Sequence, residues 1–274
     1  MKFVFTFSAF FLTLLLGAQS RVMTFNLRYN NAYDAENRWA LRKAEVVDLI
    51  NRYHPDVLGV QEALYAQIEY LDSNLQGYTY IGVGRDDGAK AGEFAAIIYD
   101  TAKVELIHWE NYWLSPFPDQ VSVGWDAAMP RVVSYAQFKD RKSGKQFHVF
   151  NAHFDHRGEE ARLQSAQFIL AQIEKFKIQE ERIIVMGDLN AEPDSPPLDV
   201  LKALLKDSFE ASRKDPQGPI GTFNGFKSEP EPGKRIDYIL VLNLKVKSYQ
   251  CIDDRRSNDL WPSDHMPVLV QLKN

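Results

Sequence analysis

The chain has 274 residues, a formal net charge of −5, 45% hydrophobic residues and a single cysteine. This hydrophobic content is enough for a folded core, and one cysteine excludes internal disulfides as the source of stability. The acidic balance argues against a protein that grips long nucleic acids electrostatically, because such proteins carry a basic face.

Residues 1–20 have the pattern of a secretory signal. Lys2 precedes an apolar stretch from Phe3 to Leu16, and the small residues Ala18 and Ser20 stand three and one positions before the expected cleavage point. The stretch is shorter than the roughly 20 residues that a membrane span needs, so a cleaved signal is favoured over an anchor. We therefore expect an exported protein, periplasmic or secreted, with one domain of residues 21–274, no membrane span after cleavage and a monomeric state.

Hydrophobic periodicity divides the rest of the chain into strands and helices. In chain order, the predicted elements are a strand at 22–26, a helix at 37–52, a strand at 57–61, a helix at 63–75, strands at 78–83, 94–100, 103–109, 131–139 and 145–153, a helix at 159–177, a strand at 182–186, a short helix at 196–205, and strands at 236–242, 246–252 and 268–272. Many strands and only three or four helices predict an α/β fold in which two mixed sheets pack together between helices, a four-layer α-β-β-α sandwich.

The segment 110–130 separates two predicted strands and carries Trp113, Phe117 and Trp125. Long loops inside a compact domain are usually functional or disordered, and these aromatic residues argue against disorder. Two interpretations have equal weight: the tryptophans cover a sheet edge, or the loop shapes a substrate site.

Six short polar patches stand at or just past the ends of apolar runs. Their key residues are Asn26, Glu62, His153, Asp188 with Asn190, Asp237, and Asp264 with His265. Polar residues at strand ends lie along the edge of a sheet, where ligand sites of α/β proteins collect. We therefore expect one site that is assembled from distant strands.

The residue types in these patches favour a hard cation. Asp188 and Asn190 leave one strand two residues apart, so their oxygens can point to one centre, and oxygen ligands suit Mg²⁺ or Mn²⁺. Glu62 on the same site would be destabilised by like charge unless a cation neutralised it. A lone Asp-x-Asn is often only a turn, but here five other patches accompany it. Serine-hydrolase and zinc chemistry are poor rivals, because the chain lacks a Gly-x-Ser-x-Gly elbow, a His-Glu-x-x-His motif and paired cysteines.

In these residues and their order, the chain resembles the endonuclease/exonuclease/phosphatase superfamily, which includes pancreatic deoxyribonuclease, and it looks close to a bacterial exported branch. The most specific matches are Gly187-Asp188-Leu189-Asn190 and Ser263-Asp264-His265, and Gln61-Glu62 adds to them. The resemblance covers nearly all of residues 21–274. It implies the sandwich fold and Mg²⁺- or Mn²⁺-dependent hydrolysis of a phosphoester.

The resemblance also implies roles for the residues around the cation. Glu62 would be the principal metal ligand, with help from Asn26 and Asp264. Asp188 would orient or deprotonate the attacking water, and Asn190 would position that water or the phosphate.

The remaining roles concern phosphate oxygens. His153 and His265 would hold the phosphoryl oxygens, and Asp237 would pair with His265. Glu93 is a weaker match to a carboxylate that pairs with the first histidine in some members. Further candidates for supporting or substrate contacts are His156, Trp125 and Arg131.

The motifs specify a phosphate and a cation, but not the group to which the phosphate is attached. Two enzymatic interpretations stay open: a compact phosphoester such as a lipid headgroup or sugar phosphate, or a nucleic acid. The acidic charge favours the compact substrate. A third hypothesis, of another class, is a ligand-binding module that lost its chemistry, and the complete set of expected residues argues against it.

Overall fold

The computed structural model describes residues 19–228 and 234–273, which form twelve strands and five α-helices. The strands are β1 Gln19–Asn26, β2 Val57–Leu64, β3 Tyr78–Ile81, β4 Glu93–Asp100, β5 Val104–Trp113, β6 Val132–Asp140, β7 Gln146–His153, β8 Ile183–Asp188, β9 Lys206–Asp207, β10 Asp237–Leu242, β11 Lys245–Cys251 and β12 Val268–Lys273. The helices are α1 Trp39–Tyr53, α2 Tyr65–Asn74, α3 Glu159–Lys175, α4 Pro196–Lys202 and α5 Ser208–Ala211. Most of the predicted signal, residues 1–18, lies outside the described residues.

The strands build two six-stranded mixed sheets with the same internal plan. The first has the order β11-β12-β1-β2-β4-β3 and the second the order β5-β6-β7-β8-β10-β9. Each sheet has a parallel pair in its interior, β1 with β2 and β7 with β8, and its other pairs are antiparallel. The carboxyl ends of each parallel pair therefore lie side by side at one edge of the sheet.

Three apolar layers hold the sandwich together. Alternate residues of a strand point to opposite faces, so Val22 of β1 packs between the two sheets while Met23 packs against helices α1 and α2. On the far side, Val185 of β8 packs against α3 and α4. The layers are thus helices, sheet, sheet and helices, which confirms the predicted four-layer fold.

Two strands are longer than the sequence predicted. β5 continues through Trp113, because Glu110 to Trp113 pair with β6 and Trp113 is buried. The added residues include polar ones and so do not form an apolar run. Their strand conformation is established by the pairing with β6. β2 continues past Gln61 to Leu64 through a bulge opposite β4.

At the amino-terminal end, Gln19 and Ser20 already belong to β1, where they pair with Lys273 and Leu272. In the described part of the chain, no helix is long and apolar enough to cross a membrane.

Candidate active site

Strand pairing brings the polar patches to one edge of the sandwich. In the first sheet, Asn26 ends β1 next to Gln61 of β2. In the second, Asp188 ends β8 between His153 of β7 and Asp237 of β10, which are its partners on either side. The side chains surround a cleft of about 450 Å³.

Two carboxylates and an imidazole lie at the centre of this cleft. One atom each from Glu62, Asp188 and His265 lies within 4.8 Å of the others, a spacing that one metal ion could span. The Asn26 amide nitrogen donates to both carboxylates, at 3.1 Å to Glu62 and 2.9 Å to Asp188. Its amide oxygen accepts from the Arg28 backbone N–H at 3.0 Å. Asn26 therefore positions the carboxylates in this structure, and its role as a metal ligand stays a prediction.

Two residues of the site have a left-handed backbone conformation, which sets the direction of their side chains. Glu62 has φ 60° at the β2 bulge, and Asn190 has φ 45° just after β8. A left-handed conformation costs a residue other than glycine about 1–2 kcal/mol, least for Asn and Asp. Bulges often redirect side chains beside functional sites, where such strain is retained. The Asn190 backbone N–H also donates to Asp188 at 3.0 Å.

Gly187, the residue before Asp188, has a steric reason to be glycine. Its φ is 139°, and a Cβ there would lie 1.9 Å from the Ala152 carbonyl oxygen of the neighbouring strand β7. Only glycine lets β8 approach β7 this closely, and that approach places Asp188 opposite His153.

His265 is paired with a carboxylate. Its Nδ1 lies 2.8 Å from Asp237 Oδ2, and the Thr222 hydroxyl donates to the same oxygen at 2.6 Å. Burial acts to lower the pKa of His265, but the carboxylates of Asp237 and Asp188 outweigh it and raise the pKa well above the usual value. His265 is therefore an imidazolium at neutral pH.

His153 is in the opposite situation, because it is paired with a guanidinium. Arg131 Nη1 donates to His153 Nδ1 at 3.1 Å. Burial, and then the charge of Arg131, lower the pKa of His153 well below its usual value. His153 is therefore neutral, with its proton on Nε2, which lies 3.6 Å from Asp188.

The carboxyl groups are suited to a cation. Burial, and then the charge of Asp237, raise the pKa of Asp188 to about 7. Burial likewise raises the pKa of Asp264 to about 6, against the opposing charge of His265 and with a further contribution from Glu62. Buried carboxyl groups that crowd one another in this way are the oxygen donors that Mg²⁺ or Mn²⁺ binds.

Glu93 lies beside His153 without a hydrogen bond to it, so the pairing that the resemblance implied stays a prediction. Glu93 instead forms a two-pronged ion pair with Arg85, at 2.6 and 2.9 Å. Its distance to His153 Nδ1 is 3.7 Å, too long for a hydrogen bond, because Arg131 occupies that nitrogen.

The segment 110–130 contributes to the cleft mainly near its end. Met129 lines the cleft, as does the neighbouring Arg131, whereas Trp125 is 37% exposed and is not among the lining residues. A supporting or substrate contact by Trp125 therefore stays a prediction. His156 does line the cleft, and its Nδ1 lies 2.9 Å from Arg131 Nη2.

Several lining residues carried no signal in the sequence. They sit in loops as single side chains outside any motif: Arg28, Tyr29, Arg85, Met129, Phe223 and Lys234. Thr222, which holds Asp237, was missed for the same reason. The sequence predicts which strand ends border the cleft, but it does not predict the loop conformations that bring these residues to it.

A family model described as the endonuclease/exonuclease/phosphatase family matches residues 23–265. The chain belongs to this family. It is 38% identical to the family protein from Bacteroides vulgatus, with a TM-score of 0.88, over 93% of this chain and 98% of that one. It is 35% identical to a mannosyl-6-phosphatase from Bacteroides thetaiotaomicron, with a TM-score of 0.87, over 92% and 99%. The human nocturnin catalytic domain shares the fold at 20% identity, with a TM-score of 0.72 over 93% of each chain.

Proposed function

We propose that the protein is a divalent-metal-dependent phosphoesterase that hydrolyses a small phosphomonoester. The observation that carries the proposal is the crowding of carboxylates at the centre of the cleft. An oxygen of Glu62 and an oxygen of Asp188 lie within 4.8 Å of each other, and the charge of Glu62 also acts on the buried Asp264. A family of phosphoester hydrolases and a complete set of the expected residues support the same conclusion.

The proposed cation site consists of Glu62 and Asp264, with Asp188 at its side. A Mg²⁺ or Mn²⁺ ion held there would neutralise the crowded carboxylates and withdraw charge from a phosphoryl oxygen. The donor set fits such an ion, because it offers carboxylate oxygens and no thiolate.

The protein's own groups account for the rest of the reaction. The oxygen of a water molecule bonds to phosphorus while the bond from phosphorus to the alcohol oxygen breaks, and negative charge shifts onto the surrounding oxygens. Asp188 orients the water and takes its proton, with Asn190 beside it. The imidazolium of His265 and the Nε2–H of His153 donate to the phosphoryl oxygens as charge develops. The departing alcohol takes a proton from solvent.

Three observations support a small substrate. The cleft of about 450 Å³ has the size of a small-molecule site. The chain is acidic overall, which weakens the electrostatic attraction to a long nucleic acid. The mannosyl-6-phosphatase at 35% identity gives a precedent for a sugar phosphate, so we propose a sugar phosphate or a similar compact monoester as the substrate.

One panel of assays tests the proposal. Mannose 6-phosphate, p-nitrophenyl phosphate, bis-p-nitrophenyl phosphate, sphingomyelin, an inositol phosphate, short RNA and plasmid DNA are each incubated with Mg²⁺, with Mn²⁺ or with EDTA. We expect fastest turnover of a monoester and none in EDTA. Activity that survives EDTA, or plasmid nicking faster than monoester hydrolysis, would contradict it.

We also propose that the protein is exported, in a bacterial branch of the family, with cleavage after Ser20. The Arg21 backbone nitrogen donates to the Asp56 carboxylate at 3.0 Å. The amino group that cleavage produces would therefore remain paired. Mass spectrometry of the protein from the cell envelope or medium should find Arg21 at its amino terminus, and an intact Met1 would contradict export by this route.

A further inference from the structure

Arg131 joins three side chains at the wall of the cleft. Its Nε donates to Asp155 at 3.2 Å, its Nη1 to His153 Nδ1 at 3.1 Å and its Nη2 to His156 Nδ1 at 2.9 Å. The side chains of Arg131 and Asp155 are almost fully buried. A guanidinium can only donate hydrogen bonds, so both Nδ1 atoms must accept. Each imidazole therefore carries its single proton on Nε2.

This arrangement gives the cleft a second neutral donor next to His153. His156 lines the cleft and is exposed, and within the described residues its Nε2 makes no hydrogen bond. The turn that carries it is held by Asp155, whose Oδ1 accepts from the backbone N–H groups of Arg157 and Gly158 at 2.9 and 2.8 Å. The ring is thus fixed at both its backbone and its Nδ1, and only Nε2–H is available to a ligand.

We propose that His156 Nε2–H binds a non-bridging phosphate oxygen that is present in a phosphomonoester and absent from a phosphodiester. This inference rests on the proposed function and explains why the site would prefer a phosphomonoester to a phosphodiester. A monoester has three non-bridging oxygens and a diester has two, because a second ester group occupies the third. His153 and His156 both line the cleft, and each is bound through Nδ1 to the same guanidinium, which leaves its Nε2–H group free of Arg131. His156 is then the residue that favours a monoester, and Arg131 is the positioning residue that aims it.

The decisive variant is His156→Ala, assayed with Mg²⁺ on p-nitrophenyl phosphate and bis-p-nitrophenyl phosphate. We expect kcat/KM for the monoester to fall about 10–100-fold, the range for loss of a hydrogen bond to a charged group. For the diester we expect little change. His156→Gln offers an amide N–H near the position of Nε2 and should recover part of the loss. His108→Ala is the matched control, because His108 is an exposed histidine paired with Glu110 on β5 and lies outside the cleft.

A spectroscopic readout tests the role of Arg131 separately. Proton–nitrogen NMR of the imidazoles should show His153 and His156 as Nε2–H tautomers in the unchanged protein. Arg131→Lys keeps the charge but loses the planar fork that reaches both rings. In that variant we expect at least one ring to show the Nδ1–H tautomer or an average of the two.

Two results would overturn the inference: equal loss on both substrates in His156→Ala, or an Nδ1–H tautomer of His156 in the unchanged protein. Failure of the proposed function looks different, since the unchanged protein would then hydrolyse no monoester. In that case inorganic phosphate is the probe, measured by calorimetry with Mg²⁺. About tenfold weaker phosphate binding in His156→Ala would still support the contact, and unchanged binding would refute it.

Discussion

His153 and His265 approach the same carboxylate oxygen of Asp188, with their Nε2 atoms at 3.6 and 3.7 Å. The two rings differ in charge because their Nδ1 atoms face opposite partners, Arg131 for His153 and Asp237 for His265. The site therefore pairs a neutral donor with a cationic one around a single carboxylate. Such a difference in environment separates the roles of chemically identical groups.

Asp237→Asn should remove the source of the charge on His265. We expect turnover to fall by about 10²–10⁴, the usual contribution of a positioned acid or base. The pKa of His265 is raised by Asp237, so its acid form persists to higher pH than usual. In the variant, the alkaline limb of the pH–rate profile should therefore move to lower pH. An unchanged alkaline limb would show that His265 does not act as an imidazolium.

The metal-free protein should lose stability as the pH rises from about 4 to about 7 because of Asp188. Its pKa is raised to about 7 in the folded chain, against about 3.9 when unfolded. The folded state therefore binds more protons in this range, so the stabilising contribution of this group is present at low pH and lost as the pH rises. Urea unfolding in EDTA should show this loss relative to Asp188→Asn, which lacks the carboxyl. A difference between the two proteins that does not change with pH would contradict the prediction.

Added Mg²⁺ should offset that loss, because a cation binds the ionised carboxylates and competes with protons. We expect the rise in Tm on adding Mg²⁺ to be larger at pH 8 than at pH 5. Glu62→Gln should reduce the rise at both pH values. A rise in Tm that is equal in Glu62→Gln and the unchanged protein would exclude Glu62 as a ligand.

The sequence predicted the fold because most strands are marked by their own residues. The run from Ile183 to Met186 is apolar throughout, and Gly187 and Asp188 mark its end. The order of the strands within each sheet was not predicted, because it depends on pairing between segments that are distant in the chain. The end of β5 was missed, because the polar residues Glu110 and Asn111 read as a loop until β6 pairs with them.

The candidate site was predictable where a residue ends a strand and was missed where it depends on loop packing. Arg85 and Arg28 look like ordinary surface arginines in sequence. Arg85 is nonetheless buried beside Glu93, and Glu93 therefore accepts its hydrogen bonds from Arg85 and not from His153. Ion pairs of this kind depend on tertiary contacts between loops, which no local pattern records.

Gly187→Ala should destabilise the protein far more than an ordinary glycine substitution. The new Cβ would lie 1.9 Å from the Ala152 carbonyl oxygen, so β7 and β8 would have to separate. Gly144→Ala is the control, because Gly144 also has a positive φ, of 71°, but no atom within 4 Å of its Cβ position. We expect a loss of about 1–2 kcal/mol in the control, the cost of a left-handed alanine. Urea unfolding should show a clearly larger loss for Gly187→Ala, and equal losses would mean that β8 adapts without cost.

Asn26→Ala should weaken metal binding without removing a carboxylate. The Asn26 amide donates to Glu62 and Asp188 at 3.1 and 2.9 Å and so fixes their relative positions. Loss of a group that orients metal ligands typically weakens metal affinity or activity about 10–100-fold. We therefore expect the Mg²⁺ concentration for half-maximal activity to rise by that factor, while kcat at saturating Mg²⁺ falls much less. Asn26→Asp distinguishes the two possible roles of this residue: tighter Mg²⁺ binding would assign it as a direct ligand, and weaker binding would assign it as the donor that holds the two carboxylates together.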